Sequence, residues 1–257
     1  MRKGVKLQAH KGVECEYPEN TMPSFEAAVS QGYEMIELDL GVTSDGKIVT
    51  IHDNAINRTA RLADGSEIPE RVDISDITYA EALEYDFGVS FSPEFAGTRI
   101  PLFEDVLKLA KENDILLKID NKIKKFTPHQ LSALFEMINN SGARVCISCW
   151  SLECAENVID KLPGAEISFD GLSDENKLRQ LSELAGRERF SVWLPVDYEM
   201  ASWAPADWFA DEEKAAVIKK YAKLCIWALK DTESFDKAAE KYKPYAAETK
   251  GNIKPEK

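Results

Sequence analysis

Residues 102–120 decide the fold, and they read LFEDVLKLAKENDILLKID. In residues 102–113 the apolar side chains recur every three to four positions, which predicts an amphipathic helix. Residues 115–120 form a short apolar run that predicts a buried strand. A helix that leads directly into a buried strand is the repeating part of a βαβ unit, from which parallel sheets are built.

The same alternation extends from this unit toward both ends of the chain. Strands are predicted at residues 6–10, 35–42, 48–52, 115–120, 144–150, 165–169, 190–196 and 224–229. Helices are predicted at residues 22–31, 102–113, 128–140, 152–161, 174–184, 212–223 and 232–242. This count fits a closed (β/α)8 barrel of the α/β class better than an open doubly wound sheet, because the sequence has no glycine-rich phosphate loop of the Rossmann or Walker type.

Two segments interrupt the alternation. Residues 44–47, Ser-Asp-Gly-Lys, form a turn between two strand-like runs, so no helix is expected between them. Residues 55–99 are polar and turn-rich, and they predict a small insertion after the third strand. We therefore expect a single barrel domain over residues 1–257, because α/β barrels commonly reach this length as one domain.

The charge and composition limit the possible partners. The formal net charge is −13, which disfavours binding to nucleic acid and stable association with anionic membranes. A small anionic substrate remains possible, because a bound cation can invert the local field. No apolar run is long enough for a membrane span and no secretory signal is visible, so a cytoplasmic location is expected. The oligomeric state is left open.

Two acidic residues lie within an apolar strand. In Glu37-Leu38-Asp39 both carboxylates point to one face of the strand, because side chains alternate along it. Two neighbouring carboxylates in an apolar setting repel each other and are costly to desolvate. A divalent cation resolves both problems, and oxygen ligands suit Mg²⁺ or Ca²⁺.

Further polar residues stand at the ends of other predicted strands. Asp120 can supply a third carboxylate to the same ion, and Lys122 can hold a phosphate oxygen. His10 and His52 end the first and third predicted strands. Since active sites of parallel barrels lie at the carboxyl ends of the strands, these side chains are expected to converge there.

Together these motifs resemble the glycerophosphodiester phosphodiesterase family, whose members are phospholipase C-like TIM-barrel phosphodiesterases. The resemblance is dense over residues 7–122 and weaker afterwards. It rests on His10-Lys11-Gly12, Pro18-Glu19-Asn20-Thr21, Glu37-Leu38-Asp39, His52-Asp53, Arg58-Thr59 and Ile226-Trp227.

The resemblance implies a role for each candidate residue. His10 and His52 would be the acid–base pair, and one divalent cation, Mg²⁺ or Ca²⁺, would be the cofactor. Its ligands would be Glu37, Asp39 and Asp120, and the substrate-binding residues would be Lys11, Lys122 and Trp227. Two positions depart from the family pattern, since Asp120 replaces the usual Glu and Lys11 replaces the usual Arg.

The implied activity is metal-dependent hydrolysis of a small-molecule glycerophosphodiester to sn-glycerol 3-phosphate and an alcohol, a step in glycerol and lipid metabolism. One alternative is a non-catalytic phosphate- or lipid-binding barrel, which the two departures leave open. Another is a phospholipase that acts on lysolipids, because aromatic residues crowd into residues 193–209. The sequence leaves the headgroup preference open.

Overall fold

Eight parallel strands close into a barrel in the computed structural model, which describes residues 4–256. The strands of the described chain are β1 (Lys6–His10), β2 (Met35–Leu38), β3 (Leu40–Val42), β4 (Ile48–Thr50), β5 (Leu116–Ile119), β6 (Arg144–Ser148), β7 (Glu166–Asp170), β8 (Phe190–Pro195), β9 (Lys223–Trp227) and β10 (Ala246–Thr249). The barrel order is β1-β10-β9-β8-β7-β6-β5-β2, and it closes because β1 pairs in parallel with both β2 and β10.

Helices cover the outside of this barrel, except for α2, which belongs to the segment after β4. They are α1 (Met22–Gln31), α2 (Tyr79–Ala82), α3 (Phe103–Glu112), α4 (Pro128–Ser141), α5 (Leu152–Lys161), α6 (Glu175–Ala185), α7 (Glu212–Tyr221) and α8 (Thr232–Tyr242). Local signals fix their ends: Thr127 and Gln130 form a capping box at the start of α4, and Gly32 ends α1 in the left-handed conformation. The predicted (β/α)8 barrel is confirmed.

The apolar pattern assigned one barrel strand wrongly and omitted another, although the terminal Glu248-Thr249 resembles the last strand and tail of the family. Residues 48–52 were expected in the barrel wall, but β4 pairs antiparallel with β3 in a hairpin outside it. The physical reason is the turn at residues 44–47, since a parallel pairing needs a crossover of about a dozen residues. The eighth barrel strand is β10, whose sequence Ala-Ala-Glu-Thr lacks the branched apolar run that predicts a strand.

The segment after β4 packs against the hairpin through its own apolar cluster. Ile56, Ile74, Phe87 and Ile100 are buried together with Val49 of β4. The segment is therefore anchored beside the barrel by burial of apolar surface. The organisation of residues 1–257 as a single domain stays a prediction, and residues 1–3 and 257 lie outside the described residues.

The barrel interior combines an apolar cluster with buried polar groups. Met35, Leu116, Cys146, Trp193 and Cys225 form the apolar cluster. The buried polar and charged side chains on the barrel strands include Gln8, Glu37, Lys118, Ser148, Ser168 and Ser191. Within residues 4–256, no helix combines the length and the apolar character that crossing a bilayer requires.

Candidate active site

A cavity of about 450 Å³ lies at the carboxyl ends of the barrel strands. We name it the charged cavity. Seven of the eight residues predicted for the site line it, namely His10, Glu37, Asp39, His52, Asp120, Lys122 and Trp227. The eighth, Lys11, is not among the lining residues.

Three carboxylates meet in the charged cavity. Glu37 lies on β2, while Asp39 and Asp120 directly follow the neighbouring strands β2 and β5. The backbone N–H of Asp120 donates to the carbonyl of Leu38 at 3.0 Å, which continues the strand pairing and brings the acids side by side. One carboxylate oxygen from each residue lies within 4.8 Å of the other two. The predicted convergence of these acids is thus present in the structure.

Burial makes this cluster unfavourable without a cation. Glu37 and Asp39 are 4% and 2% exposed. Burial and the neighbouring charge of Asp39 raise the pKa of Glu37 well above its usual value. Burial would also raise the pKa of Asp39, but the ammonium of Lys122 and other nearby cationic groups lower it instead. An all-oxygen, partly ionised cluster of this kind fits a hard divalent cation.

Hydrogen bonds from the segment between β1 and α1 orient the carboxylates of Glu37 and Asp39. The Asn20 amide donates to Asp39 Oδ2 at 3.0 Å, and the backbone N–H of Asp39 donates to Asn20 Oδ1 at 3.2 Å. The backbone N–H of Lys11 donates to Glu37 Oε2 at 3.1 Å. Sequence reasoning gave Asn20 no role, although it lies in one of the quoted motifs. Such supporting contacts fix the geometry of metal ligands.

Lys122 lies between the acid cluster and His52. Its ammonium is 3.0 Å from Asp39 Oδ1 and donates to the carbonyl of His52 at 2.7 Å. Its own backbone N–H donates to Asp120 Oδ1 at 3.0 Å. Lys122 therefore ties the hairpin that carries His52 to the barrel wall, and it places a positive charge in the cavity.

Each of the two cavity histidines has a carboxylate on Nδ1. His10 Nδ1 is 2.9 Å from Glu14 Oε1, and His52 Nδ1 is 2.6 Å from Asp53 Oδ1. Burial lowers the pKa of His10, but the carboxylates of Glu37, Glu248 and Glu14 outweigh it and raise the pKa to about 9. A carboxylate on Nδ1 fixes the ring orientation and leaves Nε2 available for chemistry.

A chain of ion pairs runs behind the histidines. The Lys11 ammonium lies 3.4 Å from Glu19 and 3.9 Å from Glu14. Arg58 donates to Glu19 at 2.7 Å and to Asp53 at 2.5 Å. The carboxylate partners of both rings are thereby connected, and the ammonium of Lys11 is engaged away from the cavity. Nothing in the sequence pattern predicted Glu14 as part of this chain.

Three more charged residues line the charged cavity from inside the barrel, and sequence reasoning missed all of them. They are Lys118, Asp170 and Glu248. Lys118 Nζ is 3.8 Å from Asp170 Oδ1 and 4.7 Å from the ring centroid of Trp193. Burial lowers the pKa of Lys118, but Asp170 and other nearby acids outweigh it and raise the pKa above its usual value. The sequence could have indicated Lys118, because this lysine stands in an apolar strand two residues before Asp120, so both side chains point to the same face.

Three tryptophans form one wall of the charged cavity. The rings of Trp203 and Trp227 are stacked, with centroids 5.4 Å apart and planes at 30°. Trp208 lies over Gly171, where an added Cβ would come within 2.1 Å of the indole. The aromatic stretch at residues 193–209 thus contributes to the cavity through Trp203 and Trp208, whereas Trp193 is buried in the barrel.

Known proteins resemble this chain in sequence and in fold. The model of the Glycerophosphoryl diester phosphodiesterase family matches residues 10–220. The uncharacterized protein YqiK of Bacillus subtilis (strain 168) is 28% identical, in a match that covers 84% of this chain and 99% of that protein. A glycerophosphodiester phosphodiesterase of Bacillus altitudinis is 36% identical over 125 residues, 48% of each chain. The chain thus matches the full length of YqiK but about half the length of this second relative.

Solved structures share the barrel at lower identity. A phosphodiesterase of Oleispira antarctica, in complex with the product sn-glycerol-3-phosphate, superposes with a TM-score of 0.74 at 16% identity, covering 96% of this chain and 93% of that one. The glycerophosphodiester phosphodiesterase of Agrobacterium tumefaciens str. C58 gives 0.68 at 16% identity, covering 95% and 96%. At this identity the likeness establishes the fold.

Proposed function

Because the chain belongs to the glycerophosphoryl diester phosphodiesterase family, we propose that it hydrolyses glycerophosphodiesters to sn-glycerol 3-phosphate and an alcohol. The family match makes it an enzyme, a phosphoric diester hydrolase. The observation that supports the proposal best is the meeting of Glu37, Asp39 and Asp120 in a cavity that His10 and His52 also line.

The three carboxylates would hold one divalent cation, Mg²⁺ or Ca²⁺. Their oxygen-only chemistry, burial and mutual proximity fit such an ion. When bound, it would neutralise the charge of the phosphate and stabilise the negative charge that develops in the transition state. The fixed hydrogen bonds from Asn20 and from the Lys11 backbone would keep the ligands oriented.

The two histidines would move the protons of the reaction. His10, whose pKa the neighbouring carboxylates raise, would donate a proton to the leaving alcohol oxygen. His52 would accept the proton of the nucleophile, which is either water or the 2-hydroxyl of the substrate glycerol. Attack by the 2-hydroxyl would form a cyclic phosphate, which water would then open to sn-glycerol 3-phosphate. Glu14 and Asp53 would hold the two rings in place through Nδ1.

The remaining predicted residues would position the substrate. Lys122 lines the charged cavity and would bind a phosphate oxygen as a point charge. Trp227 would pack against the organic part of the substrate. Lys11 stays a candidate for substrate binding, although its ammonium contacts Glu19 and Glu14 in this structure. The expected cytoplasmic location stays a prediction.

Two other functions compete with this proposal. A non-catalytic phosphate- or lipid-binding barrel would not need two histidines that each carry a carboxylate on Nδ1. Hydrolysis of lysolipids is the second candidate, favoured by the exposure of Trp203 at the cavity, where 72% of the residue is accessible. A related protein, lysophospholipase D GDPD1 of Rattus norvegicus, is 32% identical over 123 residues, 45% of this chain and 37% of that protein.

The experiment is a steady-state assay of the full chain that measures sn-glycerol 3-phosphate release, with Mg²⁺ or Ca²⁺ and with EDTA. We expect EDTA to abolish turnover and the added ion to restore it. His10→Ala and His52→Ala should lower kcat by roughly 10²–10⁴-fold. His129→Ala is the matched control, because this exposed histidine on α4 lies outside the cavity lining. Parental rates in either cavity variant, or full activity in EDTA, would contradict the mechanism.

A further inference from the structure

A second pocket of about 380 Å³ adjoins the charged cavity. The two share His10, His52, Trp203, Trp227 and Glu248 as lining residues. The second pocket, which we name the indole pocket, adds the apolar side chains of Met200 and Leu229. Because both histidines line both spaces, a phosphodiester bound between them would extend one substituent into each.

We propose that the indole pocket binds the alcohol half of the substrate and selects an alcohol that carries a methylated ammonium group. This inference rests on the proposed function, since it names the leaving alcohol of that reaction. It assigns sn-glycerol 3-phosphate to the charged cavity, and it makes Trp203, Trp227 and Glu248 the residues that determine headgroup specificity.

The aromatic wall provides a surface that attracts cations. Trp227 is the last residue of β9, and Trp203 stacks on it from the loop between β8 and α7. The face of an indole attracts ammonium groups through its quadrupole, more strongly than any other side-chain ring. Trp203 is 72% exposed although it is large and apolar. A binding role explains why this ring stays at the surface beside the histidines.

The distribution of charge distinguishes the two spaces. Lys122, Lys124 and Lys125 line the charged cavity but not the indole pocket. Glu248 lines both, and Gln8 Nε2 donates to its Oε2 at 2.6 Å, which holds the carboxylate in place. An anionic phosphate is therefore favoured on the side of the lysines, and a cation on the side of the indoles and Glu248.

The remaining lining residues argue against a neutral polyol or an anionic alcohol. Met200 and Leu229 offer no hydrogen bonds to a set of hydroxyl groups, whereas they and the faces of the indoles can pack against N-methyl groups. Lys250 also lines the pocket, but its ammonium is 3.2 Å from Glu14, so its charge is offset by that carboxylate. The pocket thus combines apolar walls with the fixed carboxylate of Glu248, which also interacts with the ring of His10.

The test compares three substrates that share the glycerophosphate half. They are glycerophosphocholine, its uncharged isostere glycerophospho-3,3-dimethylbutanol, and glycerophosphoglycerol. We expect kcat/KM for the choline ester to exceed that for the isostere by roughly tenfold, because only the charged headgroup gains cation–π and carboxylate attraction. Trp203→Ala and Glu248→Gln should each lower this choline-to-isostere ratio, by roughly 3- to 30-fold for the tryptophan.

Tyr198→Ala is the matched control. Tyr198 is a 63% exposed aromatic residue on the same loop, and it lines neither space. We expect its choline-to-isostere ratio to equal that of the parent. Trp203→Phe should restore part of the ratio, which loss of a merely structural contact would not predict.

The outcomes separate this inference from the proposed function. Equal kcat/KM for the choline ester and its isostere in the parent overturns the inference. An equal loss of kcat/KM for both substrates in Trp203→Ala also overturns it, because that result would show that the pocket only packs against apolar groups. In both cases the phosphodiesterase activity stands. Failure to hydrolyse all three substrates with either cation overturns the proposed function and this inference together.

Discussion

Replacing Glu14 with glutamine removes the negative charge beside His10 and keeps an oxygen that can accept its hydrogen bond. Glu14 contacts His10 Nδ1 at 2.9 Å, the Lys250 ammonium at 3.2 Å and the Lys11 ammonium at 3.9 Å. Glu14 itself belongs neither to the acid cluster nor to the lining of the charged cavity. A change in turnover would therefore report on the position and charge of the His10 ring.

The expected fall in kcat follows from the hydrogen bond between Glu14 and His10. A hydrogen bond to a charged group contributes about 1.5–3 kcal/mol. If that stabilisation of the protonated ring is lost on the way to the transition state, kcat falls by about 10- to 150-fold, since about 1.36 kcal/mol corresponds to a factor of ten. The side chain of His10 is 26% exposed, so solvent compensates in part and the lower half of this range is expected.

The assay is steady-state release of sn-glycerol 3-phosphate at saturating cation, with Glu16→Gln as the matched control. Glu16 lies two residues away and contacts only Gln31 and Lys254 at the surface among its described partners. Glu14→Asp should recover part of the loss, since it restores the charge at a longer distance. If Glu14→Gln keeps the parental kcat while its cation affinity is unchanged, Glu14 does not position His10.

Three further perturbations follow from the geometry. Asn20→Leu removes both hydrogen bonds to Asp39 and should lower cation affinity by roughly 10–100-fold in calorimetric titration, so an unchanged affinity would exclude the supporting role. In metal-free protein Glu14→Gln should lower the free energy of unfolding more near pH 6 than near pH 10. The reason is that the attraction between Glu14 and protonated His10 stabilises the fold fully below the unfolded pKa of 6.5 and is lost as the pH rises through about 9. Equal losses of unfolding free energy in urea titrations at both pH values would refute this. Gly171→Ala combines a φ of +69° with a Cβ 2.1 Å from an indole carbon, so we expect a destabilisation of about 1–3 kcal/mol in urea, and a parental midpoint would show that the loop adjusts freely.

The helices show how much of the fold local sequence can encode. Predicted bounds at residues 22–31, 152–161 and 232–242 coincide with α1, α5 and α8. These helices have strong end signals, such as the side-chain caps of Ser151 and Asp231. Capping and apolar periodicity act within a few residues, so a single sequence contains the whole of that information.

The strand assignment shows where local pattern stops being sufficient. Residues 48–52 and β10 differ little in length, yet only β10 lies in the barrel wall. A strand belongs to the barrel wall when it pairs with a neighbouring strand on each side. β10 meets this condition because it pairs with β1 on one side and with β9 on the other. That condition involves residues separated by most of the chain, and no window of sequence includes it.

The site likewise has features that the local sequence determines and features that only the tertiary structure determines. The sequence by itself determined the alternating barrel, the facing pair Glu37 and Asp39, and the acid–base and cation chemistry that these residue types permit, because strand periodicity and side-chain chemistry are local properties. Only the tertiary structure decided that Glu14 holds His10, that a hairpin outside the wall delivers His52, and that the Trp203–Trp227 wall opens a second pocket. These contacts join segments that strand closure and loop packing bring together, and neither process leaves a periodic signal in the sequence.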